Sequence, residues 1–261
     1  MISNNSTPPQ RSWLLLRGLG RESGHWGDFP ARLQAARPQD RVLLLDLPGN
    51  GVLHRQSSPA QIDAMTEHCR TALRAQGHAG PVHLLCLSMG GMVAVDWACR
   101  YPDEIAALVL ISSSLRGLSR WHQRMRPVAL LRLLSALISP SLQWRESQAL
   151  ALSSAQRPLD ATLLQHWCAM QQARPVQRLN LLRQLLAAAR FRAPQTGPSQ
   201  PLLVLAGAGD RLVDPVCSQR IAAAWLGRHA WHPSAGHDLT LDDGAWVIEQ
   251  IGRWLDSLEG R

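Results

Sequence analysis

Residues 82–94 read Val82-His-Leu-Leu-Cys-Leu-Ser88-Met-Gly-Gly-Met-Val-Ala94. The run Val82–Leu87 is short, apolar and strand-like, and it breaks at Ser88. Two glycines follow at once. A small-residue helix then extends from about Met89 to Arg100, with Met92, Val93, Val95, Ala98 and Cys99 at its apolar positions. Strand, abrupt turn, helix is the setting in which a serine hydroxyl is presented on a tight turn at a helix N-terminus. Gly90 lets the helix start pack against the strand, and Gly91 relieves crowding in the first turn. The usual pattern for such a turn is G-x-S-x-G; here Cys86 stands where the first glycine belongs. Read alone, the same letters also fit an ordinary strand–helix loop with a serine N-cap.

The flanking segments repeat the rhythm. Trp13–Arg17 is an apolar strand that runs into the glycine-rich loop Gly18–Trp26, and a helix carrying Phe29 and Leu33 follows. Arg41–Asp46 is a second strand, closed by Leu47-Pro-Gly-Asn-Gly51. A helix over 58–76 follows, then the strand Pro81–Leu87 and, after Tyr101-Pro102-Asp103, the strand Ile105–Ile111. Strands alternating with helices imply an α/β fold with a mostly parallel sheet flanked by helices. Continuously apolar strands agree, since a parallel sheet is buried on both faces.

From 115 to 200 no strand pattern occurs. Leucine- and arginine-rich helices are expected at roughly 121–138, 141–153, 159–172 and 175–190, punctuated by Pro127, Pro140, Pro158 and Pro175. Strand–helix alternation resumes at Pro201–Ala206, followed by a strand at Arg228–His232 and a terminal helix at 245–258. The expected organisation is a tail over 1–10 that is disordered, a core over 11–114 and 201–261, and a helical cap inserted over 115–200.

Two further stretches carry chemistry. The strand Pro201–Ala206 empties into Gly207-Ala-Gly-Asp210-Arg-Leu-Val-Asp214-Pro, and Ser234-Ala-Gly-His237-Asp-Leu239 follows the last strand. A serine hydroxyl at neutral pH needs a base within hydrogen-bond reach, and the imidazole must be held in one tautomer by an acid. Ser88, Asp210 and His237 all fall at the carboxyl ends of strands, the edge where open α/β sheets bind ligands. Asp214 competes with Asp210 for the acid's place. His229 and His232 are rivals of His237 but fall inside the expected strand.

Composition narrows the classes. The chain has 261 residues, 46% of them hydrophobic and 18% charged, which is globular. No apolar run approaches the ~18–20 residues that span a bilayer, and no secretory signal is visible, so a cytoplasmic location is expected. Five scattered cysteines make no zinc spacing, and no metal or cofactor is called for. All 27 basic residues are arginine. Over 115–200, twelve arginines face only Glu146 and Asp160, a net of +10, while the remainder nets −2. The pI of 10.7 raises nucleic-acid binding, but one tyrosine, two phenylalanines and no recognised module argue against it. A leucine-faced helix at Val128–Ile138 packs over the site or touches a membrane surface.

The stretches R-G-L-G-R-E-S-G-H-W, L-D-L-P-G-N-G, L-C-L-S-M-G-G, G-A-G-D-R-L-V-D-P and G-H-D-L together resemble the α/β-hydrolase superfamily, in a form with a helical cap. The resemblance covers most of the chain. It implies Ser88 as nucleophile, His237 as base and Asp210 as acid. It also implies an oxyanion hole from the N–H groups of Leu19 and Met89; Trp26 resembles a position at the pocket wall, and core packing reads it equally well. Arg17 departs from the histidine usual before the first loop's glycine. The activity implied is hydrolysis of a small ester or thioester through an acyl-enzyme, on a substrate that is anionic or carrier-bound if the cap charge serves it. C–C hydrolases and cofactor-free lyases share the triad and stand as the alternative. A binding module would be expected to have lost a triad member, and none is missing.

Overall fold

The computed structural model describes residues 11–260; the tail expected to be disordered lies outside them. Strands β1 (Ser12–Leu16), β2 (Arg41–Leu45), β3 (Val82–Leu87), β4 (Ile105–Ile111), β5 (Leu202–Gly207) and β6 (Arg228–His232) form one sheet in the order β2-β1-β3-β4-β5-β6. Every neighbouring pair is parallel. The central strands β1, β3, β4 and β5 are almost wholly apolar because alternate side chains serve opposite faces, whereas the edge strand β6 carries Arg228, His229 and His232. Leu14 and Leu16 enter one core with Met65, Val93 and Ile221. Trp13 and Leu15 enter the other with Phe29, Val247 and Ile251.

Those residues identify the covering helices. On the first face lie α2 (Ile62–Ala75), α3 (Met89–Arg100) and, after β5, α9 (Val216–Ala224); on the second lie α1 (Phe29–Ala36) and α10 (Leu239–Glu259). The fold is therefore the α/β architecture expected. Strand edges shift by one residue where a proline opens the run, since Pro81 and Pro201 carry no N–H for the ladder. Residues 58–61 stay outside α2: the Ser58 N–H donates to Asn180 Oδ1 at 2.9 Å and its hydroxyl to Pro48 O at 2.6 Å.

Between β4 and β5 run α4 (Trp121–Arg124), α5 (Pro127–Ile138), α6 (Leu142–Ser153), α7 (Ala161–Ala173) and α8 (Arg178–Arg190). The single helix expected over 121–138 is two, because Arg126 before Pro127 is held extended. Leu150, Trp167 and Met170 make a small core within this segment. Main-chain and side-chain bonds dock it on the core loops: Asp238 N to Ser153 O at 2.8 Å, Arg126 N to Leu212 O at 2.9 Å, and Gly20 N to Gln184 Oε1 at 2.8 Å. The last helix begins six residues before the expected start. Asp238 accepts from the Leu241 N–H and starts it, and a kink at Asp243 restarts it. No helix among the described residues is long and apolar enough to cross a membrane.

Candidate active site

Ser88 is held at φ 56°, ψ −116°, on the side of backbone space that a non-glycine residue occupies at a cost of about 1–3 kcal/mol. Its N–H donates to Ile111 O at 2.8 Å, and its carbonyl accepts from Gly91 N at 2.9 Å and Ser113 Oγ at 3.1 Å. Two glycines make room. A Cβ at Gly90 would stand 2.6 Å from Leu16 O, and one at Gly18 would stand 3.0 Å from Ser88 Cβ. The loop after β1 thus passes against the serine. Neither the Leu19 nor the Met89 N–H has a hydrogen-bond acceptor among the described residues, and both residues line space that Ser88 opens onto.

Asp210 and His237 meet across two loops. Asp210 Oδ1 accepts from the N–H groups of Leu212 at 2.8 Å and Val213 at 2.9 Å. Its Oδ2 lies 2.8 Å from His237 Nδ1, and both residues are 4% exposed. A carboxylate in these contacts only accepts, so Nδ1 carries a proton, and in the neutral ring that leaves the lone pair on Nε2. Asp214 is turned elsewhere, with Oδ1 accepting from Val216 N at 3.0 Å. His232 accepts at Nδ1 from Ser234 N and Ala235 N, which fixes the loop before His237.

Ser88 and His237 are walls of one cavity of about 70 Å³, shared with Arg17, Leu19, Leu133 and Leu152. No hydrogen bond joins the two side chains among the described residues. Ser88 also opens onto a second, apolar cavity of about 320 Å³ lined by Met89, Met92, Trp121, Leu130 and Leu185. Leu133 and Leu152 bring α5 and α6 over the first; Trp121, Leu130 and Leu185 bring α4, α5 and α8 over the second.

Trp26 does not join them. It is 3% exposed, stacked on Phe29 at 5.8 Å, and lines neither cavity. Its ring packs instead in the core that holds Phe29 and Leu33. Cys86 is fully buried and its thiol is raised well above the ordinary value by burial, so it packs beneath the turn. His25 is also structural: burial, then Arg21 and Arg17, lower its pKa well below the ordinary value.

The residue that pattern reading noted only as a departure is Arg17. It is 4% exposed, pairs through Nη2 with Asp238 at 2.5 Å and lies over the Trp26 ring at 4.6 Å. Burial alone would raise the Asp238 carboxyl, but Arg17, Thr240 and the Leu241 N–H hold it below its usual range. A charged residue closing an apolar strand was the signal available.

The model of the alpha/beta hydrolase family matches residues 13–250. The pimeloyl-[acyl-carrier protein] methyl ester esterase of Serratia marcescens is 29% identical over 225 residues, 83% of this chain and 82% of that protein. The biotin biosynthesis bifunctional protein BioHC of Teredinibacter turnerae is 33% identical over 108 residues; the match spans 41% of this chain and only 18% of that protein. The enol-lactonase of Burkholderia xenovorans LB400 superposes with a TM-score of 0.78 at 19% identity, over 97% of this chain and 93% of that one.

Proposed function

The chain belongs to the alpha/beta hydrolase family, and from that premise we propose a serine hydrolase that cleaves a carboxylic ester or thioester through an acyl-enzyme. The observation that carries the reading is the Asp210–His237 pair, whose histidine lines the same cavity as a strained Ser88. His237 Nε2 takes the Ser88 proton as Oγ attacks the carbonyl carbon, and returns it to the leaving alcohol or thiol. Asp210 holds the tautomer and stabilises the imidazolium. Hydrogen bonds of this kind are often long in an empty site and tighten around substrate. The Leu19 and Met89 N–H groups receive the oxyanion; losing one such donor costs about 100–1,000-fold in rate. Water, activated by the same histidine, then releases the acid.

The apolar cavity beside Ser88 suits one hydrocarbon half of the substrate. In this reading 115–200 is the cap that shapes both chambers. Its excess of arginine matches an anionic or carrier-bound ester, and the Serratia relative's name gives a carrier-bound ester as that protein's substrate. The test is covalent labelling. A fluorophosphonate probe is expected to label the protein once, at Ser88, and Ser88→Ala is expected to lose both the label and 4-nitrophenyl ester hydrolysis while keeping its circular dichroism spectrum. Labelling that persists in Ser88→Ala overturns the assignment.

A further inference from the structure

Two helices over the site turn apolar side chains outward. Helix α8 buries the polar pair Asn180 and Gln184 and leaves Leu179, Leu182 and Leu186 41–54% exposed. At 3.6 residues per turn those leucines fall on the side away from the buried pair. Helix α5 carries one charged residue, Arg132, and is apolar on every side, yet it buries only Ala129. Val128, Leu131 and Ile138 on it stand 64–77% exposed. A helix apolar all round calls for an apolar cover. Two bonds hold α5 and α8 antiparallel and side by side. Arg178 Nη2 donates to Ser139 O at 2.9 Å at one end, and Arg124 Nη2 to Ala188 O at 2.6 Å at the other. The inner residues Leu130 and Leu185 wall the apolar cavity beside Ser88. The charge over these helices has one sign. Helices α4, α5 and α8 contain no acidic residue. The two acids of 115–200 are taken, Glu146 by Arg21 and Asp160 by Arg157. Of the twelve arginines in that segment, only Arg157 and Arg174 meet a carboxylate among the described residues. One exposed row of α8 reads Arg178, Leu182, Leu186, Arg190 at a spacing of four, leucines bracketed by arginines.

We propose that the outer face of α5 and α8 docks the protein on an anionic lipid bilayer, with the exposed leucines at the acyl-chain boundary and the arginines on the headgroup phosphates. The docking is independent of the serine-hydrolase reading. It is peripheral, since no helix among the described residues is long and apolar enough to cross. A bilayer meets both properties of the face at once, because it buries aliphatic side chains and attracts a basic segment. Arginine suits that boundary: its stem lies along apolar surface while the guanidinium stays with the phosphates. A second copy of this chain would bring the same unpaired arginines against these, like charge against like. An acidic protein would answer the arginines, but it would also have to present a groove shaped to two helix rows. A fluid bilayer needs no such preformed shape.

The test is vesicle co-sedimentation of the full chain. Vesicles of phosphatidylcholine with about 30% phosphatidylglycerol are compared with vesicles of phosphatidylcholine alone. The protein is expected to bind the anionic vesicles about 10-fold or more tightly than the neutral ones, and to lose most of that advantage between about 0.1 M and about 0.5 M salt. Arg178→Gln with Arg190→Gln should weaken binding by about 25-fold, about 5-fold for each arginine near an anionic surface. Leu182→Gln with Leu186→Gln, and Leu131→Gln with Ile138→Gln, should each weaken it by about 10-fold or more. Leu226→Gln, at a leucine 95% exposed outside the 115–200 segment, should change nothing. All these side chains are solvent-exposed, and circular dichroism checks that each variant is folded. No binding by about 1 mM lipid overturns the proposal. So does equal affinity for the two vesicles, or indifference to both leucine pairs. A dimer that Leu131→Gln with Ile138→Gln dissolves, without vesicle binding, would give the face to a second copy. Co-elution with an acidic acyl carrier protein, again without vesicle binding, would give it to a protein; either result overturns the lipid assignment. Binding is read without turnover, so its failure leaves the fluorophosphonate result standing, and loss of that result leaves this one interpretable.

Discussion

Asp210 and Asp214 share one loop but answer to different neighbours. Asp210 spends one oxygen on two backbone N–H groups and the other on His237, whereas Asp214 starts α9 through the Val216 N–H. Asp210→Asn is therefore expected to lower kcat for a 4-nitrophenyl ester by about 10⁴-fold, because an amide in that place favours the wrong imidazole tautomer. Asp214→Asn should cost less than about tenfold and act through stability. Steady-state kinetics on the two variants decides it; the reverse ranking would move the acid. Ser88, Asp210 and His237 could be singled out from the sequence because each follows a strand, at the carboxyl edge where open α/β sheets bind ligands. Arg17 could not, since its meaning depends on Asp238, which lies 221 residues away in the chain.

The loop between β1 and α1 is a clamp as well as a wall. Arg21 pairs with Glu146 on α6 at 2.6 Å, and Glu22 accepts from Arg174 after α7 through Nε at 3.0 Å. Arg21 also lies over the Trp167 ring at 4.5 Å. Glu146→Gln leaves a part-buried guanidinium without its counter-ion and should cost about 1.5–3 kcal/mol. At this size each kcal/mol is worth about 2–4 °C in Tm. Arg21→Met with Glu146→Met should recover most of the loss, since an apolar pair can replace an ion pair. Thermal unfolding of the single and double variants measures it; a double variant as unstable as the sum of the singles would refute the pairing. The strands behind this loop read clearly from period and apolarity. The helices between β4 and β5 were legible as helices but not in their docking, because Gln184, Asn180 and Arg174 are ordinary polar letters until Asn50, Ser58 and Glu22 are opposite them.

The molecule also keeps several imidazoles neutral. Burial lowers His25 well below its ordinary pKa and brings His83 to about 4. In the folded state Arg21 Nη1 donates to His25 Nε2 at 2.8 Å, a bond that protonation would destroy. A depressed histidine makes the unfolded chain the better proton acceptor, so the stability it contributes is full above about pH 6.5 and is lost as the pH falls. Wild-type protein should lose stability between roughly pH 6.5 and 5, by up to about 1.4 kcal/mol per pH unit for each such group. His25→Phe should show a shallower slope in urea unfolding over that window, whatever its stability at pH 7. An unchanged slope would place His25 outside the linkage.

The two cavities share Ser88, Leu19 and Leu212 and otherwise have different walls. On the serine-hydrolase reading, a bond broken at that junction would leave its fragments in separate chambers, one lined by Arg17 and His237 and one apolar. The departing fragment then need not pass the one still esterified to the serine. On that reading the chamber it vacates would admit the hydrolytic water, and the order of product release would follow from the two-chamber layout. With such a plan, a bulky second alcohol competing with water would enter by the same door, and partitioning between hydrolysis and transesterification would follow the size of that door rather than the reactivity of the acyl group.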